Sequence, residues 1–332
     1  MPTASAARVA AVIPNWNRRD LLATLLPSLA AQTRPFAEII VVDNGSTDDS
    51  AQFAERTGAK VLRLQENVGF AAAVNLGIKA SGGDWIAILN NDVTLKPDWL
   101  AKLLAAVELE GLGFATGKIL QASNPTLLDG AFDELSRGAC ASRCGFGRLD
   151  GPAWSRPHRI QFAPMTAALF GRRLFQDLGG LDERFGSYME DVDFGLRCAL
   201  AGEQGLFVPA AVAYHRGSAT LGEWNKNTVW RIARNQVLLA AKHFHGQPRW
   251  PIVAGQLLWG GIALRHGRGW AFLRGKFAGM REARRVKRAS TSEYTRKKLA
   301  QVLESSEEKI RALAQDSGLD NYWRAYFWLS RR

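Results

Sequence analysis

The first 120 residues alternate strand-like and helix-like segments, and that alternation constrains the fold more than any other feature of the sequence. Val9–Ile13 is a short apolar run ended by Pro14; Leu21, Leu22, Leu25, Leu26 and Leu29 then recur at helical spacing. Glu38–Asp43 (EIIVVD) is a second strand, closed by the turn-forming Asn44-Gly45-Ser46, with Ser46 or Thr47 placed to cap a helix through Arg56. Lys60–Leu64 reads as a third strand, Phe70–Ala80 as a helix and Trp85–Leu89 (WIAIL) as a fourth strand. Pro97–Glu110 follows as a helix with proline in its first turn. Strands apolar on both faces and separated by helices call for a parallel α/β sheet covered on both sides, because a bare face would leave apolar surface in water.

Residues 121–165 are rich in Gly, Ser, Pro and Arg with weak periodicity, which suggests a long loop region. Order returns at Phe162–Phe170, then in a helix near Arg172–Leu178 and a strong helical segment Glu190–Ala201 ending at Gly202. Residues 205–213 form a strand pattern leading into Tyr214-His215-Arg216, and Thr228–His245 is helical in pattern.

A length of 332 residues suits one large domain or two ordinary ones. The net charge of +12 is unevenly spread: residues 255–332 hold 17 basic and 7 acidic side chains, and the preceding part is close to neutral. Cys140, Cys144 and Cys198 are too few for a disulfide scaffold and odd in number, which suits a reducing compartment. The N-terminal stretch has one Arg and only five apolar residues before Pro14, unlike a secretory signal. Trp250–Leu264, the longest apolar stretch, has 15 residues and contains Pro251 and Gln256, short of the roughly 20 that span a bilayer.

Ligands of open α/β sheets bind at the carboxyl ends of the strands. Three polar clusters fall there: Pro14-Asn15-Trp16-Asn17, Asp43-Asn44-Gly45-Ser46-Thr47-Asp48 and Asn90-Asn91-Asp92. Each alone is also what an ordinary turn is made of; three on one sheet edge point to a site. Asp92 with a neighbouring amide oxygen can hold a hard divalent cation that takes substrate phosphates as further ligands, or it can cap a helix. Glu190, Asp191 and Asp193 crowd a helix N-terminus, where the macrodipole favours acids. Arg197, four residues beyond Asp193, can pair with it and leave Asp191 or Glu190 to accept a proton. There is no P-loop and no G-x-G-x-x-G after the first strand, which counts against nucleoside-triphosphate and dinucleotide enzymes.

Five segments in order, VVDNGSTDDS (41–50), NVGFAAAVNLGI (67–78), GGDWIAILNND (82–92), GGLDERF…MEDVDFGLR (179–197) and YHRGSAT (214–220), resemble the inverting family 2 glycosyltransferases of GT-A fold. The bacterial rhamnosyltransferase-like branch is the nearest match, over Val9 to about Ser218. The resemblance implies a mostly parallel, twisted sheet with helices on both faces. The basic charge and helical spacing beyond it suggest a basic, largely helical C-terminal extension, so a catalytic unit is expected over residues 1–246 and a separate region over 247–332.

Position by position, the resemblance implies that Pro14, Asn15 and Asn17 line a nucleotide pocket and that Asp43 bonds a pyrimidine base. Asn67, Gly69, Phe70, Asn75 and Asn91 border the nucleotide-sugar, and Asp182 orders the acceptor side. Asn90-x-Asp92 stands at the family's D-x-D metal motif with Asn in the first place; with His215 these residues are the expected ligands of Mg²⁺ or Mn²⁺. Asp191 matches the general base, with Glu190 beside it. The implied reaction moves a sugar from dTDP-L-rhamnose or a UDP-sugar to a lipid-linked saccharide in cell-surface polysaccharide synthesis. An inactive nucleotide-binding scaffold is the alternative that Asn90 encourages.

Residues 265–298 carry 12 Lys or Arg against 2 Glu, with Trp270, Leu273, Phe277 and Met280 on one helical face. Such a basic amphipathic segment suits an anionic membrane surface, and therefore a cytoplasmic enzyme peripheral to the inner face of the cell membrane. Gly275 and Gly279 weaken that helix, and Arg284 and Arg288 fall on its apolar face. The basic charge also permits nucleic-acid binding, but no nucleic-acid module is visible and the sheet region is neutral, so no such partner is expected. The apolar positions of 294–313 and the aromatic tail Tyr322–Trp328 are suited to packing on the domain, on a second copy in a homo-oligomer, or at the membrane.

Overall fold

A computed structural model of the chain describes residues 7–217, 224–286, 292–317 and 320–330. The sheet half runs β1 (Val9–Asn15), α1 (Arg19–Ala30), β2 (Glu38–Asp43), α2 (Ser50–Arg56), β3 (Lys60–Arg63), α3 (Phe70–Ala80), β4 (Trp85–Leu89), β5 (Val93–Leu95), α4 (Trp99–Glu110) and β6 (Phe114–Gln121). Next come β7 (Leu128–Gly130), β8 (Asp133–Leu135), β9 (Ala141–Arg143), β10 (His158–Ile160), β11 (Ala167–Gly171), α5 (Arg172–Leu178), α6 (Glu190–Ala201) and β12 (Gly205–His215). The chain continues helically through α7 (Lys226–His243), α8 (Arg249–Arg265), α9 (Gly269–Ala283), α10 (Glu293–Ser317) and α11 (Asn321–Leu329).

The main sheet has the order β10-β12-β6-β11-β4-β1-β2-β3. Strands β4, β1, β2 and β3 are parallel neighbours, as are β12 and β6, so the central sheet is mostly parallel; β11 runs antiparallel between β4 and β6. The two-residue period of the strands explains why both faces are covered. Val9, Ala11 and Ile13 of β1 pack with α1 and α4 through Leu22, Leu25, Trp99 and Leu103, whereas Ala10 and Val12 pack on the other face with Ala71 and Val74 of α3.

The register places Asn15 beside Asp43, so the ends of β1 and β2 deliver their polar residues to one edge. At that edge α2 begins later than its sequence pattern suggests. Asp48 Oδ1 accepts the Ser50 N–H at 3.0 Å, while Ser46 Oγ and the Thr47 N–H are engaged with Asn17. Neither Ser46 nor Thr47 therefore caps the helix.

Residues 121–165 are not a long loop. They form β7, the β8–β9 hairpin and β10, and they bury Leu128, Phe132, Leu135, Trp154 and Ile160. Short three-residue strands leave no periodicity to read. The hairpin is clamped from far along the chain. Glu134, fully buried, accepts from Ser306 of α10, and Ser306 Oγ in turn accepts the Leu135 N–H at 2.7 Å. Arg137 pairs with Glu307 at 2.8 Å, and the Tyr326 hydroxyl donates to the same carboxylate at 2.7 Å. One core cluster contains Leu135, Leu196 and Leu238 together with Leu299, Val302 and Leu303, from both sides of residue 246.

Gly275 and Gly279 do not weaken α9; they let it lie on α7. A Cβ at Gly275 would sit 2.4 Å from the Trp230 carbonyl oxygen, and one at Gly279 would sit 2.7 Å from that of Arg234. This contact turns Phe272 inward and leaves Trp270, Leu273, Phe277 and Met280 exposed. Arg288 lies outside the described residues, as do Ser218, Ala219 and Thr220 of the YHRGSAT segment. Among the described residues no helix is long and apolar enough to cross a membrane.

Candidate active site

The carboxyl edge of the sheet opens into a cavity of about 340 Å³ lined by Pro14, Asn15, Trp16, Asn44, Asn67, Phe70, Asn90, Asn91, Asp92, Thr166, His215 and Arg231, among others. Asn15 is buried, accepts a bond from Asn91 at 2.8 Å, and keeps its amide nitrogen without a partner. Asp43 is 5% exposed and one carboxylate oxygen has no partner. Asn44 knits the neighbouring loop by accepting the Val68 N–H at 2.9 Å and donating to Asn67 and the Gly69 carbonyl.

Asp92 and His215 meet at one end. Asp92 Oδ1 lies 3.1 Å from His215 Nε2, and His215 Nδ1 lies 2.8 Å from Oδ2 of Asp129. Burial disfavours the imidazolium, but the bonds to Asp129 and Asp92 outweigh it and push His215 up to about 9. The spacing fits two adjacent ligands of an octahedral cation with bonds of about 2.0–2.1 Å, whose neighbouring ligands stand roughly 3 Å apart. Among the described residues no group of three His, Cys, Asp or Glu is placed to hold a metal, so these two donors would need substrate oxygens and water to complete a shell.

A second cavity of about 400 Å³ adjoins the first and shares Phe70, Asn90, Arg143, Thr166, Ser187 and Tyr188 with it. Its far wall carries Asp133, Glu190 and Asp191. The backbone turns sharply there: Tyr188 and Met189 have φ of 72° and 68°, a left-handed conformation that costs a non-glycine residue free energy. Asn235 of α7 holds the turn, its amide nitrogen within 2.7–3.0 Å of the carbonyls of Phe185, Ser187 and Tyr188. Burial, with the charge of Asp191, raises Glu190 well above the usual carboxylate range, and Glu190 Oε2 has no partner. Burial also raises Asp191, against the Val192 N–H and the charge of Arg143.

Asp193 turns away from the cavity. It bonds Arg197 at 3.0 Å, Lys242 at 2.7 Å and His243 at 2.7 Å, tying α6 to α7. Lys242 also reaches Asp182 at 2.8 Å, and Asp182 bonds Arg184.

Several expected ligand contacts are placed elsewhere. Asn75 clamps the 181–183 turn, accepting from the Leu181 N–H and donating to the Leu181 carbonyl and Glu183, so it does not border the cavity. Asp182 is spent on Lys242 and Arg184, and Asn17 on the 46–48 turn. Gly69 caps α3 beside the cavity without lining it. Asp129, Asp133 and Arg143 were hidden in the segment that lacked periodicity. Arg231 lies on α7 without a local motif, and Trp16, although within a polar cluster, looks like a surface aromatic in sequence.

A doubly covered sheet with this cavity at its carboxyl edge and carboxylates across from it defines a glycosyltransferase of GT-A architecture. The chain belongs to glycosyl transferase family 2, whose sequence model matches residues 10–178. It is similar to the N-acetylglucosaminyl-diphospho-decaprenol L-rhamnosyltransferase of Mycobacterium tuberculosis, 27% identical over 253 residues, covering 67% of this chain and 80% of that protein. The fold resembles the mannosyltransferase PcManGT from Pyrobaculum calidifontis in complex with GDP-Man and Mn²⁺, with TM-score 0.54, 18% identity, and 97% and 86% of the two chains covered. It also resembles S. aureus TarS 1–349 in complex with UDP-GlcNAc, with TM-score 0.56, 17% identity, and 96% and 90% covered.

Proposed function

We propose that the protein is an inverting transferase that moves a sugar, rhamnose or a hexose, from a pyrimidine nucleotide donor to a lipid-linked saccharide. One observation carries this reading: two adjoining cavities that share six lining residues hold the Asp92–His215 pair in one and Asp191 in the other. The lipid-linked acceptor is supported by the name of the mycobacterial relative. The pyrimidine rests on the family resemblance at Asp43, a buried carboxylate with one unpartnered oxygen beside Asn15 at the end of β2, outside the residues that line the cavity.

Asp92, His215 and the Asn90 amide oxygen would hold Mg²⁺ or Mn²⁺, a choice supported by the donor spacing and by the Mn²⁺ in the PcManGT complex. When bound, the ion supplies positive charge beside the diphosphate as the glycosidic bond breaks. Asn15, Asn67 and Asn91 orient the donor from the nucleotide side. Asp191 takes the acceptor hydroxyl's proton as that oxygen attacks the anomeric carbon from the opposite face, and the bonding pair leaves with the diphosphate. Glu190, whose carboxyl burial raises well above the usual range, lines the same cavity beside Asp191.

Residues 1–246 carry this chemistry, and 247–332 carry an interfacial face. Trp270, Leu273, Phe277 and Met280 stand out from α9, flanked by Arg274 and Arg281, in the arrangement that lays an amphipathic helix on an anionic leaflet. The enzyme would work at the inner face of the cell membrane, where lipid-linked acceptors are presented.

Calorimetric titration with UDP, dTDP, GDP and ADP, each with and without Mn²⁺, tests the donor site. Tight binding of a pyrimidine diphosphate, strengthened by Mn²⁺, supports the reading; binding of none by folded protein ends it. Asn90 favours a second reading, a scaffold that binds nucleotide without turnover, and that reading predicts pyrimidine binding with no Mn²⁺ dependence.

A further inference from the structure

The corner from Phe185 to Met189 is common to both cavities: Ser187 and Tyr188 line each of them, and Glu190 and Asp191 follow at the start of α6. Two helices hold this corner. The N-terminus of α3 donates to it, the Ala71 N–H to the Gly186 carbonyl at 2.9 Å and the Phe70 N–H to Ser187 Oγ at 3.3 Å. From the other side α7 meets it through Thr228, whose hydroxyl lies 3.2 Å from that of Tyr188, and through Asn235. Asn235 is fully buried, and its amide nitrogen lies 2.9, 3.0 and 2.7 Å from the carbonyl oxygens of Phe185, Ser187 and Tyr188. A primary amide has two N–H donors, so both are committed to the corner.

The orientation of that amide is set from behind. Arg234 Nη1 lies 2.6 Å from Asn235 Oδ1. A guanidinium only donates, so the amide oxygen faces Arg234 and the nitrogen faces the corner. Arg234 is held in turn by Glu282 of α9, whose carboxylate lies 3.0 Å from its Nε, and by the Arg184 carbonyl at 2.8 Å. A chain of named contacts therefore runs from α9 through Arg234 and Asn235 to the residues just before Asp191.

We propose that Asn235, oriented by the Glu282–Arg234 pair, is a positioning residue for Asp191: it holds the strained corner so that the Asp191 carboxylate stands at the acceptor hydroxyl. The inference rests on Asp191 being the general base. Tyr188 and Met189 occupy a left-handed conformation that neither side chain favours, and without Asn235 the corner has reason to relax. Asp191 moves with it, because its Oδ1 accepts the Val192 N–H at 2.8 Å and ties the side chain to the first turn of α6. Misplacement by about 1 Å can cost about 10²-fold in rate. The C-terminal region thereby serves the reaction through α9 without touching substrate.

The test uses the full-length protein. Asn235→Leu keeps the branched shape and the charge but removes the donors. Glu282→Ala, at a carboxylate 43% exposed, removes the brace and leaves the buried amide in place, so it decides the matter if Asn235→Leu does not fold. Hydrogen exchange read by mass spectrometry needs no substrate: both variants should exchange faster over residues 185–193 and as wild type over β1, β2 and β4. Transfer is measured from dTDP-L-rhamnose to an N-acetylglucosaminyl-diphospho-prenol, with kcat expressed per dTDP-binding site counted by calorimetry, so that unfolded protein does not register. The kcat should fall about 10²-fold in Asn235→Leu and about three- to tenfold in Glu282→Ala, with the donor KM within about twofold of wild type. Unaltered exchange over 185–193 overturns the positioning role. So does a wild-type kcat in these variants beside an inactive Asp191→Asn, or a loss carried by the donor KM alone. Turnover retained by Asp191→Asn overturns the base assignment and the positioning role with it.

Discussion

Nδ1 of His215 lies 2.8 Å from Oδ2 of Asp129, while Nε2 of the same ring faces Asp92 at 3.1 Å. Such a carboxylate fixes the tautomer and aims the second nitrogen at a metal, and loss of one typically costs 10- to 100-fold in metal affinity. Asp129→Asn should therefore weaken Mn²⁺ binding in the presence of UDP by about 10- to 100-fold. Metal-free UDP affinity should stay as it is. An unaltered Mn²⁺ affinity by calorimetry would sever Asp129 from the metal site.

Asp191→Asn keeps the shape of the side chain and removes its basicity. Transfer should fall by about 10²–10⁴-fold while nucleotide affinity is unchanged. Near-normal turnover in this variant would shift the role to Glu190.

Asp193 links the corner that carries Asp191 to α7. Burial pushes its carboxyl up, but His243, Arg197 and Lys242 outweigh that and hold it well below the usual carboxylate range. A group depressed in the folded state stabilises the protein above its unfolded pKa of about 3.9, and that stabilisation is lost as pH falls toward the folded value. Asp193→Asn should cost about 3–5 kcal/mol at pH 7, because it removes the buried carboxylate that Arg197, Lys242 and His243 share, and clearly less at pH 3. Urea unfolding at both values reads the difference; an equal loss at pH 7 and pH 3 would rule out the ionic account.

The exposed face of α9 yields a test that spares the fold. Trp270 and Phe277 are 72% and 62% exposed, so Trp270→Glu with Phe277→Glu should leave Tm nearly unchanged. Burying two such side chains in an interface stabilises by about 1.5–3 kcal/mol each, so binding to vesicles containing phosphatidylglycerol should drop at least about tenfold. Equal vesicle binding by variant and wild type would exclude this face. Truncation at residue 246 is a poorer test, because Ser306 and Glu307 brace the site hairpin.

Much of the sheet was legible because β1, β2 and β4 are buried on both faces and the helices between them keep an apolar stripe. The polar edge of the sheet was legible for the same reason: strand ends locate Asn15, Asp43 and Asp92 without any tertiary knowledge. Residues 121–165 were not legible, since three-residue strands carry no period, their apolar residues pack against distant Phe194 and Phe207, and the hairpin is clamped by Ser306 and Glu307. With them went Asp129, Asp133 and Arg143. Asn75 and Asp182 sit in segments that resemble the family's, yet their side chains hold loops; a motif marks a position without saying whether it touches a ligand or its support. Of Glu190, Asp191 and Asp193, spacing separated out Asp193 through Arg197, but its other two partners, Lys242 and His243, come from α7.

The clamp on the β8–β9 hairpin also sets an order of events during synthesis. Glu134 takes its hydrogen bond from Ser306, made 172 residues later, and Arg137 waits for Glu307, made 170 residues later. The ribosome completes the polar edge of the sheet long before it supplies what locks the β8–β9 hairpin. A nascent chain halted between those points has Asp92 and His215 already translated and Glu134 still without its partner. The polar edge of the sheet is thus made early, and the brace of the hairpin beside it comes last.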